Sequence, residues 1–280
     1  MTEYNKSLYD SVTDAWVFVL GENFHYGYFK SDDMALNSAT TCLIDVLAEM
    51  AEIKSDYRVL DVGCGMGAPA LYLHGKYGCD ITGISISKRG VDLASAASEK
   101  KGCSNKVRFQ VKDALENGYP ENTFDLVWQM ESSHLMRDKK KLFSENNRVL
   151  KTNGVLLLCD LILINELNIA ELYRYRKEMT VLEKSFGKTK MEVLEYYDRE
   201  LRQAGFSNIK TVDISKWVRP TLKHWRANMA NRKSDILKYF SNDDFNNFLL
   251  SCDIIDTFLK DKILGYGLVR AEKMGETVDG

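Results

Sequence analysis

The segment VLDVGCGMGAPA at residues 59–70 places a carboxylate, Asp61, two residues before three closely spaced glycines, Gly63, Gly65 and Gly67. After a short apolar run, glycines at this spacing let the backbone turn tightly and come close to a ligand. Ala68-Pro69 then opens a helix at a position where proline's missing N–H costs nothing. The pattern Gly63-x-Gly65-x-x-Ala68 also satisfies the dinucleotide fingerprint, which alone is a weak signal. Asp61 decides between ligands. A dinucleotide would lay its pyrophosphate on this loop and helix N-terminus, where a carboxylate repels it. A ligand with positive charge and no phosphate gains from the same carboxylate. No Gly-Lys-Ser/Thr follows, which excludes a P-loop.

A second set of reactive residues lies further along. His134, in MESSHLM, follows the apolar run FDLVWQM, and Asp160 is read as ending the neighbouring run. A histidine oriented by a carboxylate is the usual general-base arrangement. The competing reading is a surface histidine beside the charged run at 137–141. Glu131 faces a ligand or caps the next helix. His25 and Tyr28, in NFHYGYF, offer aromatic faces to a cation or simply pack. His74 and His224 read as structural. The cysteines Cys42, Cys64, Cys79, Cys103, Cys159 and Cys252 form no CxxC pair and have no His-rich neighbour. They read as reduced, mostly buried residues, with neither a disulfide set nor a metal site.

These residues need a frame. RVLDV (58–62), DITGIS (80–85), VRFQV (107–111), FDLVWQM (124–130) and GVLLLCDLIL (154–163) are short apolar runs with helical stretches between them. That alternation predicts parallel strands with right-handed crossovers, the doubly wound Rossmann-like α/β class. NIKTVDI (208–214) and GYGLVRAE (265–272) complete a seven-stranded sheet closed by an antiparallel last strand. Residues 1–50 read as an N-terminal helical lid and 51–164 as the ligand-binding core. Residues 165–262 read as a helical cap interrupted by the strand at 208–214, and 263–280 as the last strand and a tail. Lid and cap either cover a pocket at the C-terminal edge of the sheet, where open α/β sheets bind ligands, or pack as ordinary core helices.

The 280 residues are 45% hydrophobic, which supplies a full core. The 38 Lys+Arg and 40 Asp+Glu nearly cancel, leaving no electrostatic footprint for nucleic acid or an anionic membrane. A small neutral partner fits better. The N-terminus has no basic start followed by an apolar stretch, and no run approaches the roughly 18 apolar residues of a membrane span. The sequence therefore reads as a cytoplasmic monomer or homodimer.

From DVGCGMG onward the chain resembles class I S-adenosylmethionine methyltransferases over nearly its whole length. VRFQVKDA (107–114), FDLVWQMESSHLM (124–136), RVLKTNGVLLLCD (148–160), the AGF at 204–206, DISKWVRPT (213–221) and LGYGLVRAEK all contribute. It looks most like the small-molecule subgroup that contains the rebeccamycin sugar O-methyltransferase, and more distantly like tocopherol and sterol methyltransferases. The resemblance implies S-adenosylmethionine as cofactor, a sulfonium and ammonium ligand without phosphate that suits Asp61. It sets Asp61 and the Gly63, Cys64 and Gly65 backbone around the methionine part, with Asp113 and Ala114 near the adenine. Gln129 would lie under the methionine moiety, and Tyr28 in the segment folded over the cofactor. Where relatives end the second strand in an acid for the ribose, this chain has Ser85, so Ser85 and Ile86, with Ser87 or Lys88, take that place. Gly90 stands where a glutamine is common, and Leu135 where a second histidine is. His134 with Asp160 would be the catalytic pair, with His25, Glu131 and Trp217 toward the substrate.

The implied activity is methylation of an oxygen on a mid-sized secondary metabolite, with His134 as general base. Methylation of nitrogen, or of carbon on an isoprenoid or indole ring, is the alternative, the latter favoured by a wholly apolar and aromatic cap pocket. A cofactor-binding module without catalysis, or a NAD-binding protein, is the reading from another class. Nucleic-acid methylation is disfavoured because QMES stands where those enzymes carry an NPPY-type loop.

Overall fold

Seven strands alternate with helices along the chain, and a computed structural model describes residues 3–275 of it. Residues 1–2 of the expected lid and 276–280 of the expected tail lie outside the described residues. In chain order the elements are α1 (Glu3–Leu20), α2 (Leu36–Ala48), β1 (Arg58–Val62), α3 (Ala68–Tyr77), β2 (Asp80–Ser85), α4 (Lys88–Lys100), β3 (Val107–Val111) and β4 (Phe124–Met130). There follow α5 (Lys139–Val149), β5 (Leu150–Leu163), α6 (Ile169–Arg174), α7 (Arg176–Phe186), α8 (Leu194–Gln203) and β6 (Phe206–Asp213). Helices α9 (Ser215–Val218), α10 (Thr221–Asn231), α11 (Lys233–Ile236) and α12 (Asn242–Lys260) precede the last strand, β7 (Leu264–Lys273).

The strands form one sheet in the order β3-β2-β1-β4-β5-β7-β6. The first five are parallel, and β7 slots between β5 and β6, antiparallel to both. This is the Rossmann-like doubly wound α/β sheet. The chain leaves β1 toward β2 on one side and returns to β4 on the other, so a crevice opens at the C-terminal ends of β1 and β4. Strand β5 runs longer than the apolar run suggests, from Leu150, and continues three residues past Asp160 because Leu161, Ile162 and Leu163 pair with Tyr266, Gly265 and Leu264 of β7.

Both faces of the sheet are covered, and successive residues divide between them. Val59, Leu126, Trp128, Leu157 and Cys159 join the core under α1–α4 and the cap, whereas Leu60, Val127, Leu156 and Leu158 join the core under α5 and α8. The period of two along each strand, buried on both sides, explains the nearly continuous apolar runs.

Helix α1 is fastened across the mouth of the crevice. Asp10 Oδ1 accepts the Ser87 hydroxyl at 2.6 Å and the Arg89 N–H at 3.2 Å, supplementing the cap of α4, and Arg89 pairs with Asp14 at 2.7 Å. At its other end the Asn5 side chain accepts the Lys188 N–H at 2.7 Å and donates to the Lys188 carbonyl at 3.0 Å. Helix α1 also packs on α10 and α11, and α12 packs on α7 and α10. Among the described residues no helix is long and apolar enough to cross a membrane.

Gly67, with φ +78°, closes the loop after β1, and a Cβ there would fall 2.4 Å from Phe109 Cζ and 2.9 Å from Ala94 Cβ. Backbone strain and overpacking act together at this position. Gly67→Ala is expected to lower the unfolding free energy by about 2 kcal/mol or more, measured by urea denaturation. A loss within about 0.5 kcal/mol of zero would contradict this packing.

Candidate active site

The loop after β1 is held by its own backbone: Gly63 N–H and Cys64 N–H both donate to the Ile84 carbonyl, at 2.9 and 3.0 Å. Gly63 has φ +85°, and a Cβ would sit 2.2 Å from Ser132 Cβ. Its role is to let β1 and the turn after β4 touch, and the Ser132 hydroxyl fixes that contact by donating to the Val62 carbonyl at 2.6 Å. Gly65 differs: a Cβ there meets nothing within 4 Å, because the residue borders a cavity. Asp61 borders the same cavity, is 3% exposed, and its Oδ2 has no hydrogen-bond partner. Burial pushes its carboxyl up to about 7.

On the β4 side the chain turns sharply. Glu131 takes φ +47°, a conformation uncommon outside glycine, and Ser133–Leu135 form one 3-10 turn. That turn brings His134 against Asp160. Asp160 has no solvent exposure, and its Oδ1 accepts the His134 Nδ1–H at 2.5 Å and the Leu161 N–H at 2.9 Å. Its Oδ2 accepts the Ser133 hydroxyl at 2.5 Å and the His134 N–H at 2.8 Å. Burial alone would raise this carboxyl, but the His134 charge and the hydrogen bonds outweigh it and hold the pKa below the ordinary carboxylate value. Because a carboxylate only accepts, His134 Nδ1 carries hydrogen and Nε2 is left for the cavity that His134 borders. The Ser133 oxygen in turn accepts from the buried Tyr197 hydroxyl at 3.0 Å.

The turn is also tied to the cap. Lys190 N–H donates to the His134 carbonyl at 2.7 Å, and the Lys139 ammonium, 1% exposed, donates to the Met136 carbonyl at 3.2 Å and to the Lys190 carbonyl. Burial pushes Lys139 down to about 8, the nearby Asp160 and Glu192 charges opposing.

Glu131 reaches toward the N-terminal segment. Its Oε1 accepts the Tyr26 N–H at 2.7 Å and the Tyr266 hydroxyl at 2.6 Å, and burial raises its carboxyl to about 8 against those two bonds. His25 donates from Nδ1 to the Tyr26 carbonyl at 2.7 Å; burial lowers its pKa to about 4, so Nε2 is an unprotonated acceptor at neutral pH.

Asp61, Gly63, Cys64, Gly65, Ser85, Ile86, Glu131, His134 and His25 therefore meet at one cavity, walled on its other sides by Tyr9, Trp16, Phe186 and Trp225. Not every expected site residue borders this cavity. Gln129 follows Trp128 on the strand and so faces the opposite side of the sheet, where it accepts from Asn146 of α5 at 3.1 Å. Met130, one residue on, borders the cavity instead. Tyr28 and Trp217 stack on each other at 5.5 Å and do not border it, and the neighbouring Phe29 N–H bonds the Trp217 carbonyl. Asp113 is exposed just past β3, accepting the Leu115 N–H at 2.9 Å, and neither it nor the buried Ala114 borders the cavity. Lys88 pairs with Asp92 at the surface, and the Ser87 hydroxyl is engaged by Asp10. His134 is 7% exposed, not a surface residue beside the charged run, and Glu131 caps no helix. Ser133 and Tyr197 hold Asp160, Lys139 holds the turn and Tyr266 holds Glu131, yet of these residues only Asp160 stood out in sequence. Tyr266, flanked by Gly265 and Gly267 on β7, carried the one available signal.

Residues 2–262 match the family model described as mycolic acid cyclopropane synthetase. The chain belongs to that family. It is an S-adenosylmethionine-dependent methyltransferase. Among curated relatives it is 32% identical over 265 residues to 27-O-demethylrifamycin SV methyltransferase of Amycolatopsis mediterranei, covering 95% of both chains. Among solved structures it is similar to the [4+2]-cyclase SpnF, with a TM-score of 0.82 and 26% identity over 96% of this chain and 95% of that one. The cyclopropane synthase MmaA2 of Mycobacterium tuberculosis shares the fold, with a TM-score of 0.87 at 17% identity over 97% and 98%. The same fold thus carries more than one reaction among its relatives. Among the described residues no cluster of three or more His, Cys, Asp or Glu is placed to hold a metal ion.

The raised carboxyl of Asp61 has a stability consequence in the ligand-free protein. In the folded state it keeps a proton up to about 7, whereas an unfolded aspartate loses it near 4, so its contribution is full at low pH and is lost as pH rises through that window. Asp61→Asn removes the titration. The variant's melting temperature is expected to gain on the wild type as pH goes from about 5 to about 8; a difference independent of pH would contradict the burial of an unpaired carboxyl.

Proposed function

We propose that the protein transfers a methyl group to a hydroxyl of a small, largely apolar metabolite, with His134 as general base oriented by Asp160. The observation that carries this reading is the 2.5 Å bond from His134 Nδ1 to the buried Asp160, which aims Nε2 at the cavity bordered by Asp61 and the glycine loop.

The residues present fit the cofactor. The unpartnered Asp61 Oδ2 suits an ammonium or sulfonium, and the bare face of Gly65 leaves room for a ligand against the backbone. Asp61, Gly63, Cys64 and Gly65 would hold the methionine part, with Ser85 and Ile86 toward the ribose, and Asp113 and Ala114 would mark the adenine end beyond the cavity. Bound S-adenosylmethionine supplies a methyl on a sulfonium, whose thioether is a good leaving group. The protein's work is then alignment, exclusion of water and removal of one proton. The hydroxyl gives its proton to His134 Nε2 as its oxygen bonds the methyl carbon. Asp160 holds the ring in the tautomer that can take that proton and stabilises the charge it acquires. Tyr9, Trp16, Tyr26, Phe186 and Trp225 close the cavity over the reacting groups.

Carbon methylation was the reading for a wholly apolar pocket. This cavity instead holds His134, Glu131 and His25 among its aromatic walls, and a base is what an alcohol needs. The curated relative from Amycolatopsis is, by its name, an O-methylating enzyme, which agrees.

His134→Ala is expected to lower methyl transfer by roughly a hundred- to ten-thousand-fold while leaving cofactor affinity intact. The assay is a metabolite extract incubated with methyl-labelled cofactor and read by mass spectrometry; unchanged turnover would refute the base. Gly65→Ala is expected to do the reverse, weakening cofactor binding by at least about tenfold at a stability cost of about 1 kcal/mol. Calorimetric titration with S-adenosylhomocysteine checks it, and unaltered affinity would remove Gly65 from the cofactor site.

A further inference from the structure

Lys139 is the one lysine of the charged run at 137–141 that turns inward. Its neighbours Lys140 and Lys141 keep 69% and 51% of their side chains exposed, whereas Lys139 is 1% exposed and is the only buried Lys or Arg among the described residues. Two effects oppose a charge at that position. Lys139 opens α5, where the helix dipole disfavours a cation, and burial disfavours the charged form, pushing the ammonium down to about 8. It stays charged at neutral pH with the help of the Asp160 and Glu192 carboxylates.

The contacts of Lys139 close a ring with the turn that carries His134. Its ammonium donates to the Met136 carbonyl at 3.2 Å and to the Lys190 carbonyl, and the Lys190 N–H donates to the His134 carbonyl at 2.7 Å. Asp160 holds the same turn through the His134 N–H and ring. An uncharged amide could donate to the two carbonyls equally well, so the hydrogen bonds alone do not call for a cation.

Few other charges remain around His134 and Asp160 at neutral pH. Asp160 itself is held ionised. Lys190 and Glu192 pair with each other at 3.0 Å, and Arg137, Asp138 and Lys140 are exposed. Burial keeps Tyr197 of α8 and Tyr9 of α1 uncharged, lowers His25 to about 4, and pushes Glu131 up to about 8 and Asp61, at the glycine loop, to about 7. Lys139 is thus the buried cation that offsets Asp160 while His134 is in the neutral form a base requires. A buried carboxylate alone favours the protonated ring, which can take no further proton, and a second cation near the same carboxylate works against that.

We propose that Lys139 is a positioning residue for methyl transfer, clamping the 134–136 turn to the segment at Lys190 and, by its charge, keeping the His134 ring unprotonated until the acceptor hydroxyl gives up its proton. This rests on the base reading above and adds a second buried charge to it.

Three variants separate the clamp from the charge. Lys139→Gln keeps an N–H donor and removes the charge, Lys139→Met fills the buried space and removes both, and Lys139→Arg keeps both. Each full-length variant is read in two ways. One is the pH titration of the nitrogen-15 signals of the His134 ring, and the other is methyl transfer from labelled S-adenosylmethionine with the metabolite extract. In Lys139→Gln and Lys139→Met the ring transition and the acid limb of the transfer rate should move to higher pH by about half a unit to one unit. At high pH Lys139→Gln should come within about threefold of the wild-type rate, whereas Lys139→Met, with its turn unclamped, should stay about tenfold or more below it. Lys139→Arg should follow the wild type at every pH, and S-adenosylhomocysteine affinity should be unchanged in all three. A ring transition at the wild-type pH in both uncharged variants, or Lys139→Met as fast as the wild type at every pH, would overturn the proposal. If the ring transition moves as stated in a protein that transfers no methyl, the hold of Lys139 on His134 stands and the base reading falls.

Discussion

Asp160 sits within β5 with no solvent exposure, and its two oxygens receive four hydrogen bonds from residues 133, 134 and 161. A buried charge is tolerable only when it is this fully satisfied. The same four bonds fold the chain after β4 into a tight turn, set the His134 ring, and lock that turn to the neighbouring strand. The Tyr197 hydroxyl extends the network into α8, and the Lys139 ammonium with the Lys190 N–H extends the turn's anchorage into the cap. Turn, sheet and the segment at Lys190 are therefore joined around one carboxylate, and the His134 ring cannot be moved without disturbing all three.

Around that fixed point the molecule departs from what stability alone would choose. Asp61 and Glu131 are carboxyls raised by burial, Glu131 holds a positive φ, and Asp61 Oδ2 lacks a partner. Such departures gather at ligand sites because the ligand supplies the missing interactions. The carboxylate without a partner, Asp61, lies beside the glycine loop at the cavity a cationic cofactor would occupy.

The sheet was almost fully legible because its strands are buried on both faces and separated by turns and polar helix surfaces. Strands β1 to β4 begin and end at the apolar runs themselves. Strand β5 starts four residues before the apolar run, at Leu150, and Asn153 takes φ +61° as an irregularity within the strand, where the register against β4 shifts. The site was legible only in part. Asp61, His134, Asp160 and the loop glycines announce themselves by type and position. The resemblance implied Gln129 under the methionine moiety, but alternation from Trp128 turns it to the opposite face of the sheet, against Asn146. Lys139 was hidden in a run of charges whose other lysines are exposed, and Tyr266 lies more than a hundred residues from the Glu131 it meets. Contacts across that distance come from β7 lying beside β5, which no local pattern encodes.

The central claim is that Asp160 makes His134 a base by fixing which ring nitrogen holds the hydrogen. Asp160→Asn keeps the side chain's size and, with its amide N–H toward His134 Nδ1, reverses that bond, while the Leu161 N–H loses its acceptor. Methyl transfer by this variant, with the nitrogen-15 signals of the His134 ring recorded on the same sample, is the direct measurement. The account predicts a shift of the ring toward the Nε2–H tautomer and a fall in rate of about a thousandfold or more, with S-adenosylhomocysteine affinity preserved. Methyl transfer at the wild-type rate would contradict it.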